Sequence, residues 1–125
     1  MAKGLIYNGY RFKVVDYDKS YDFLHDSVDG YFEHIPVTAL DKRSLDMWCN
    51  EEGKFRDDLE PTLIMTNRGK PFDVIVGNIV FTRTNNEGET ISLTDDDILY
   101  IKDLFKKAPS LIDFDKGLLL KTLEY

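Results

Sequence analysis

Cysteine is almost missing from this chain: Cys49 is the only one in 125 residues. No disulfide can form within the chain, and a lone thiol fits a reducing compartment. Long apolar runs are missing too. Residues 1–8 lack the hydrophobic stretch of a secretory leader, and no later segment approaches the length of a membrane span. The expectation is a cytoplasmic protein with no membrane contact. Positive charge is scarce: 16 Lys and Arg stand against 23 Asp and Glu, a formal net charge of −7. Non-specific binding to nucleic acid needs clustered cations that displace counterions, so this balance disfavours it. The common motifs of chemistry are absent as well. There is no phosphate-binding glycine loop, no dinucleotide fingerprint and no zinc spacing. His25 and His34 carry no metal-ligand spacing, so neither metal nor cofactor is expected.

What is present is a globular composition, 42% hydrophobic and 13% aromatic. Its length suits one domain, residues 1–125, with a core of its own. The pattern predicts an α+β fold: a mostly antiparallel sheet of about five or six strands with two or three helices packed on it. Residues 3–18 read as a hairpin turning at Asn8-Gly9, a type I′ signal. Ser20 is the expected N-cap of a helix over 20–28, with Tyr21, Leu24 and Val28 on one face. Residues 31–37 read as a strand near an edge, because Pro36 cannot donate to a ladder. Residues 38–44 read as a polar link.

In the strand at 45–50, alternation puts Leu45, Met47 and Cys49 on one face and Asp46, Trp48 and Asn50 on the other. Glu51-Glu52-Gly53 makes a turn in which Gly53 is expected at positive φ. A short helix is expected to begin near Pro61. Asn67-Arg68-Gly69-Lys70 is a basic turn. Residues 72–84 read as one long central strand, apolar on both faces and interrupted at Gly77-Asn78 by a bulge or bend. A partner strand follows at 89–93. Thr94 then caps a helix whose first turn holds Asp95, Asp96 and Asp97 and whose last holds Lys106 and Lys107. Residues 109–125 are too apolar to hang free. They are expected to dock on the domain, or on another copy as part of a homo-oligomer.

No catalytic residue stands out. Glu51 and Glu52 diverge on a turn, Cys49 points inward by alternation, and Asp95–Asp97 are explained as cap residues rather than ligands. Trp48 is more suggestive, because it shares its strand face with polar residues. Either the C-terminal segment covers it as a helix, or it stacks on a ligand. If the strand at residue 72 pairs beside it, Trp48, Asn50, Lys54, Arg68, Lys70, Asn78 and Arg83 form a candidate ligand site. An aromatic ring with Arg and Lys suits a nucleotide-like molecule.

Three stretches in order carry a family resemblance. They are Gly30-Tyr31-Phe32-Glu33-His34-Ile35, then Leu45-Asp46-Met47-Trp48-Cys49-Asn50-Glu51-Glu52-Gly53-Lys54, then Asp73-Val74-Ile75-Val76-Gly77-Asn78-Ile79-Val80-Phe81. With Glu87–Asp95 they resemble the domain-of-unknown-function family numbered 3846. The chain departs from it after Lys54, where Phe55-Arg56-Asp57-Asp58-Leu59-Glu60-Pro61 replaces a Gly-Leu-Pro-x-Asn type segment. The resemblance brings no catalytic residues. It implies a setting: a phage or mobile-element accessory protein in a bacterial host cytoplasm. The leading expectation is a non-enzymatic protein that counteracts a host defence component, by sequestering a nucleotide-like ligand or binding a host protein. The alternatives are a small enzyme acting on a nucleotide or small molecule through Glu51, Glu52 and Asp73, and an acidic DNA mimic or nucleic-acid-related regulator.

Overall fold

A computed structural model describes residues 2–113 and 116–125. Its elements are strands grouped in two sheets, with three helices packed against them. The first sheet is antiparallel. Its strands run in the order β2 (Phe12–Tyr17), β1 (Ala2–Tyr7), β7 (Ile79–Thr84), β4 (Leu45–Asn50) and β3 (Phe32–His34), with β8 (Thr90–Ile91) also paired to β7. The second sheet runs β6 (Lys70–Val76), β5 (Pro61–Asn67), β10 (Leu119–Glu124) and β9 (Ser110–Ile112). Its β5–β10 pair is parallel. The chain can make that pairing because the whole of β7, β8 and a helix intervenes, and parallel neighbours need a long crossover.

Period-two alternation gives the first sheet two buried faces. Leu5, Tyr7, Leu45, Met47, Cys49, Ile79 and Phe81 point toward the second sheet, where Leu63, Met65, Ile75 and Leu123 meet them. Helix α3 (Asp95–Lys107) closes this core with Ile98, Ile101 and Phe105. Phe105 sits edge-on to Phe81, with ring centroids 5.7 Å apart. On the other face Ile6, Phe32, Trp48 and Val80 pack under helix α1 (Ser20–Val28) through Phe23, Leu24 and Val28. Short helix α2 (Thr38–Asp41) adds Leu40 to the main core.

The α+β class holds, and several local expectations are corrected. The strand expected over 72–84 is two strands in two different sheets. Both faces of β7 are apolar because α1 and the second sheet cover it, whereas β6 is an edge strand that leaves Phe72 exposed. Gly77, at φ +88, makes the crossing. Its N–H donates to the Glu60 carbonyl, and the Leu59 side chain fills the space where a Cβ would stand. The helix expected near Pro61 is β5; its residues Thr62–Thr66 are all buried, which an amphipathic helix would not allow. The hairpin turns through four residues, Asn8–Arg11, with the Asn8 side chain accepting from the N–H groups of Tyr10 and Arg11. Ser20 lies inside α1; Lys19 is the cap and offers no side-chain bond. The strand expected at 31–37 is confined to Phe32–His34, the polar link at 38–44 holds α2, and the strand at 89–93 narrows to Thr90–Ile91. Residues 109–125 supply β9 and β10 rather than a helix, so α1 and not the C-terminal segment lies over Trp48. Phe114 of that segment lies outside the described residues.

Candidate functional site

The segment after β4 is built around Asn50. Its buried side-chain amide donates to the carbonyls of Val28 at 2.9 Å and Asp29 at 3.2 Å, and its oxygen accepts from the Glu52 N–H. One side chain thus ends a strand, caps the end of α1 and starts a turn. Glu51 is tied to the residue before β3 by its N–H, which donates to the Tyr31 carbonyl. The chain then makes a short 3-10 turn at Gly53–Phe55. Gly53 is absent from the positive-φ glycines, contrary to expectation. Its reason is contact: a Cβ there would stand 2.7 Å from the Val76 carbonyl oxygen.

Three ion pairs hold the loop. Lys54 pairs with Asp73 on β6. Arg56 makes a fork to Asp58 at 2.8 and 2.6 Å and also reaches the Asp29 carboxylate at 2.9 Å and the Asp29 carbonyl. The planar guanidinium suits this double contact. Hydrogen bonds from Arg56 hold the Asp58 carboxyl below its ordinary value, and the carboxylates push the Arg56 pKa up.

Between this loop and β6 lies a cleft of about 540 Å³. Val74, Val76, Pro61 and Leu59 give it an apolar lining, Phe72 stands beside it, and Lys54, Arg56 and Lys116 face it with Asp57, Asp73 and Asp113. A neighbouring pocket of about 220 Å³ holds Cys49, Glu33, Glu51, Lys54 and Asp73. Burial pushes the Cys49 thiol up to about 12, and Glu33 and Asp73 push the same way against Lys54. A thiol so raised is protonated and a poor nucleophile at neutral pH. Glu52 is not among the groups lining either space.

The seven residues read as a ligand site lie in different places. Trp48 is half-buried under α1, its Nε1–H donating to Thr82 at 2.8 Å. Arg83 is on the opposite face of the same sheet, paired with buried Asp97 at 2.8 Å. Arg68 and Lys70 flank the β5–β6 turn, where the Arg68 N–H donates to Glu124. Asn78 donates to the Ser27 carbonyl. Asn50 and Lys54 alone meet in one pocket. The pairing of β7 beside β4 does occur, but residue 72 belongs to the other sheet, so the condition for convergence is not met. Arg56, Phe72 and Lys116 were missed. Arg56 lies in the stretch that departs from the family pattern, and its partner Asp29 is distant in sequence.

Among the described residues no three His, Cys, Asp or Glu side chains are grouped to hold a metal ion. No helix among them is long and apolar enough to cross a membrane.

Fold and site define an α+β protein of two facing sheets with a mixed-charge cleft on the edge strand of the second. Residues 5–106 match the family described as Domain of unknown function (DUF3846), and the chain belongs to that family. Strands β9 and β10 follow the matched region. Searches of curated proteins and of solved structures found no match.

Proposed function

We propose that this protein is a non-enzymatic binding protein of a phage or other mobile element, which sequesters a small nucleotide-like ligand and so counteracts a host defence component. The cleft of about 540 Å³ carries the reading. Small-molecule sites are concave and combine apolar walls with polar groups, and this cleft sets Leu59, Pro61, Val74 and Val76 among charged side chains. Phe72, 55% exposed, offers a ring face to a base. Lys54 and Lys116 offer charge to phosphate. A phosphate arriving at Lys54 displaces its present anionic partner, Asp73. The raised Cys49 thiol and the Lys54–Asp73 pair argue for holding a ligand rather than transforming it. The phage setting and host cytoplasm rest on the family resemblance.

The test is mass spectrometry of small molecules released by heat from protein purified out of bacteria with active nucleotide signalling. An intact nucleotide is expected, and Lys54→Met combined with Phe72→Ala should reduce its recovery about tenfold. A nucleotide of changed mass would favour hydrolysis through Glu51, Glu52 and Asp73 instead. Unchanged recovery from the double variant would remove the cleft from the account.

A further inference from the structure

Strand β3 stands at one end of the first sheet. Among the described residues it pairs with β4 alone. The hydrogen bonds just beyond it set its alternation. The Ile35 N–H donates to Met47, and Tyr31 accepts from Glu51. Odd-numbered residues therefore turn their backbone groups toward β4, and Phe32 and His34 turn theirs outward. Glu33 and His34 are both exposed.

A ladder of aromatic rings runs along this edge. Tyr21 stacks on His25, His25 meets Tyr31 edge-on, and Tyr21 meets Phe32. Phe32 meets Trp48 at 90° with centroids 5.5 Å apart, and His34 meets it at 69° and 5.4 Å. The outer rungs are open: Tyr31 is 68% and Tyr21 56% exposed. The charges at the ladder are carboxylates: Asp26 lies 3.7 Å from His25, and Asp41 and Asp46 lie 3.9 and 3.4 Å from His34. Arg56, which reaches the end of α1, is already taken up by Asp29 and Asp58.

A strand edge offers main-chain bonds, exposed rings attract cations through their faces, and carboxylates set the sign of the partner. We propose that the β3 edge takes up an extended Arg- or Lys-rich segment of another protein as an added strand, with cationic side chains laid on Tyr21 and Tyr31. The site is independent of the cleft beside β6, so either can fail without the other. With three residues in the strand, the contact is small and belongs with weak, transient partners.

The probe is a short blocked peptide of alternating Arg and Thr. Its binding to the full chain is followed by Trp48 fluorescence, Trp48 being the single tryptophan, and by amide NMR shifts. The L-peptide should bind, perturb the amides of Phe32 and His34 and slow their exchange. Its D-enantiomer, with the same charge and the wrong hand for the strand, should bind about tenfold more weakly, as should the L-peptide to the Tyr21→Ala, Tyr31→Ala double variant. Both tyrosines are exposed, so that variant retains its fold, checked by circular dichroism. Equal affinity for the two enantiomers would reduce the effect to net charge and overturn the proposal. So would amide shifts centred elsewhere, or no binding.

Discussion

At the residue scale, two small features do what the surrounding motif only hints at. Asn50 joins a strand end, a helix end and a turn through one amide. Gly53 lets the Gly53–Phe55 turn lie against the backbone of β6. Its contact with the Val76 carbonyl oxygen comes from backbone, which cannot rotate away. Gly53→Ala is therefore expected to destabilise the protein by about 2 kcal/mol, read as a fall in the urea midpoint with unchanged slope. A midpoint within error of the parent would show that loop and strand separate freely. Cys49 is a converse case. A thiol beside two glutamates in the sequence suggests chemistry, yet in the fold it is a buried, protonated group next to Glu33.

At the element scale, α3 is the part in which local signals and tertiary contacts coincide. Thr94 accepts from the Asp97 N–H, and the Asp97 carboxylate accepts from the Thr94 N–H, closing a reciprocal cap. The same carboxylate, almost fully buried, takes a hydrogen bond from Arg83 on β7. Thr94→Ala loses a cap bond and should cost about 1 kcal/mol. Asp97→Ala loses its half of the cap and leaves Arg83 without its partner, so about 2 kcal/mol is expected. Thermal or urea unfolding of both variants orders the two effects. If the threonine change proves the larger, the tie to the sheet contributes little. This helix was legible because capping and the charge asymmetry of its ends are local. The helix expected at Pro61 was misread because β5 is buried on both faces, and a fully apolar run does not distinguish strand from helix.

At the scale of the whole molecule, the second sheet depends on the last strand of the chain. β10 lies between β5 and β9, and Leu123 belongs to the core that both sheets share. Thr66 also donates to Glu124, whose carboxyl is held below its ordinary value by that hydroxyl and by the N–H groups of Gly69 and Arg68. A chain ending at Lys107 would lose β10, open the edge of β5 and uncover Leu63 and Met65. It should melt without a cooperative transition and form larger species by light scattering. A truncated chain that melts sharply as a monomer would show that the family-matched region is sufficient by itself.

The features the sequence determined are those set by neighbours within a few residues. They include the α+β class, the inward face of β4, the cap of α3, the basic turn at 67–70 and the break at Gly77-Asn78. Each follows from periodicity, capping or turn chemistry, which act over short separations. The division into two sheets, the parallel placement of β10 and the covering of Trp48 by α1 were decided by tertiary structure. So was the candidate site. Arg56 meets Asp29 where Asn50 ties the end of α1 to the loop after β4, and Lys54 meets Asp73 because β6 of the second sheet runs beside that loop. The Trp48–Lys54 segment looked like a single surface along the chain; strand alternation sends its side chains to opposite sides of a sheet.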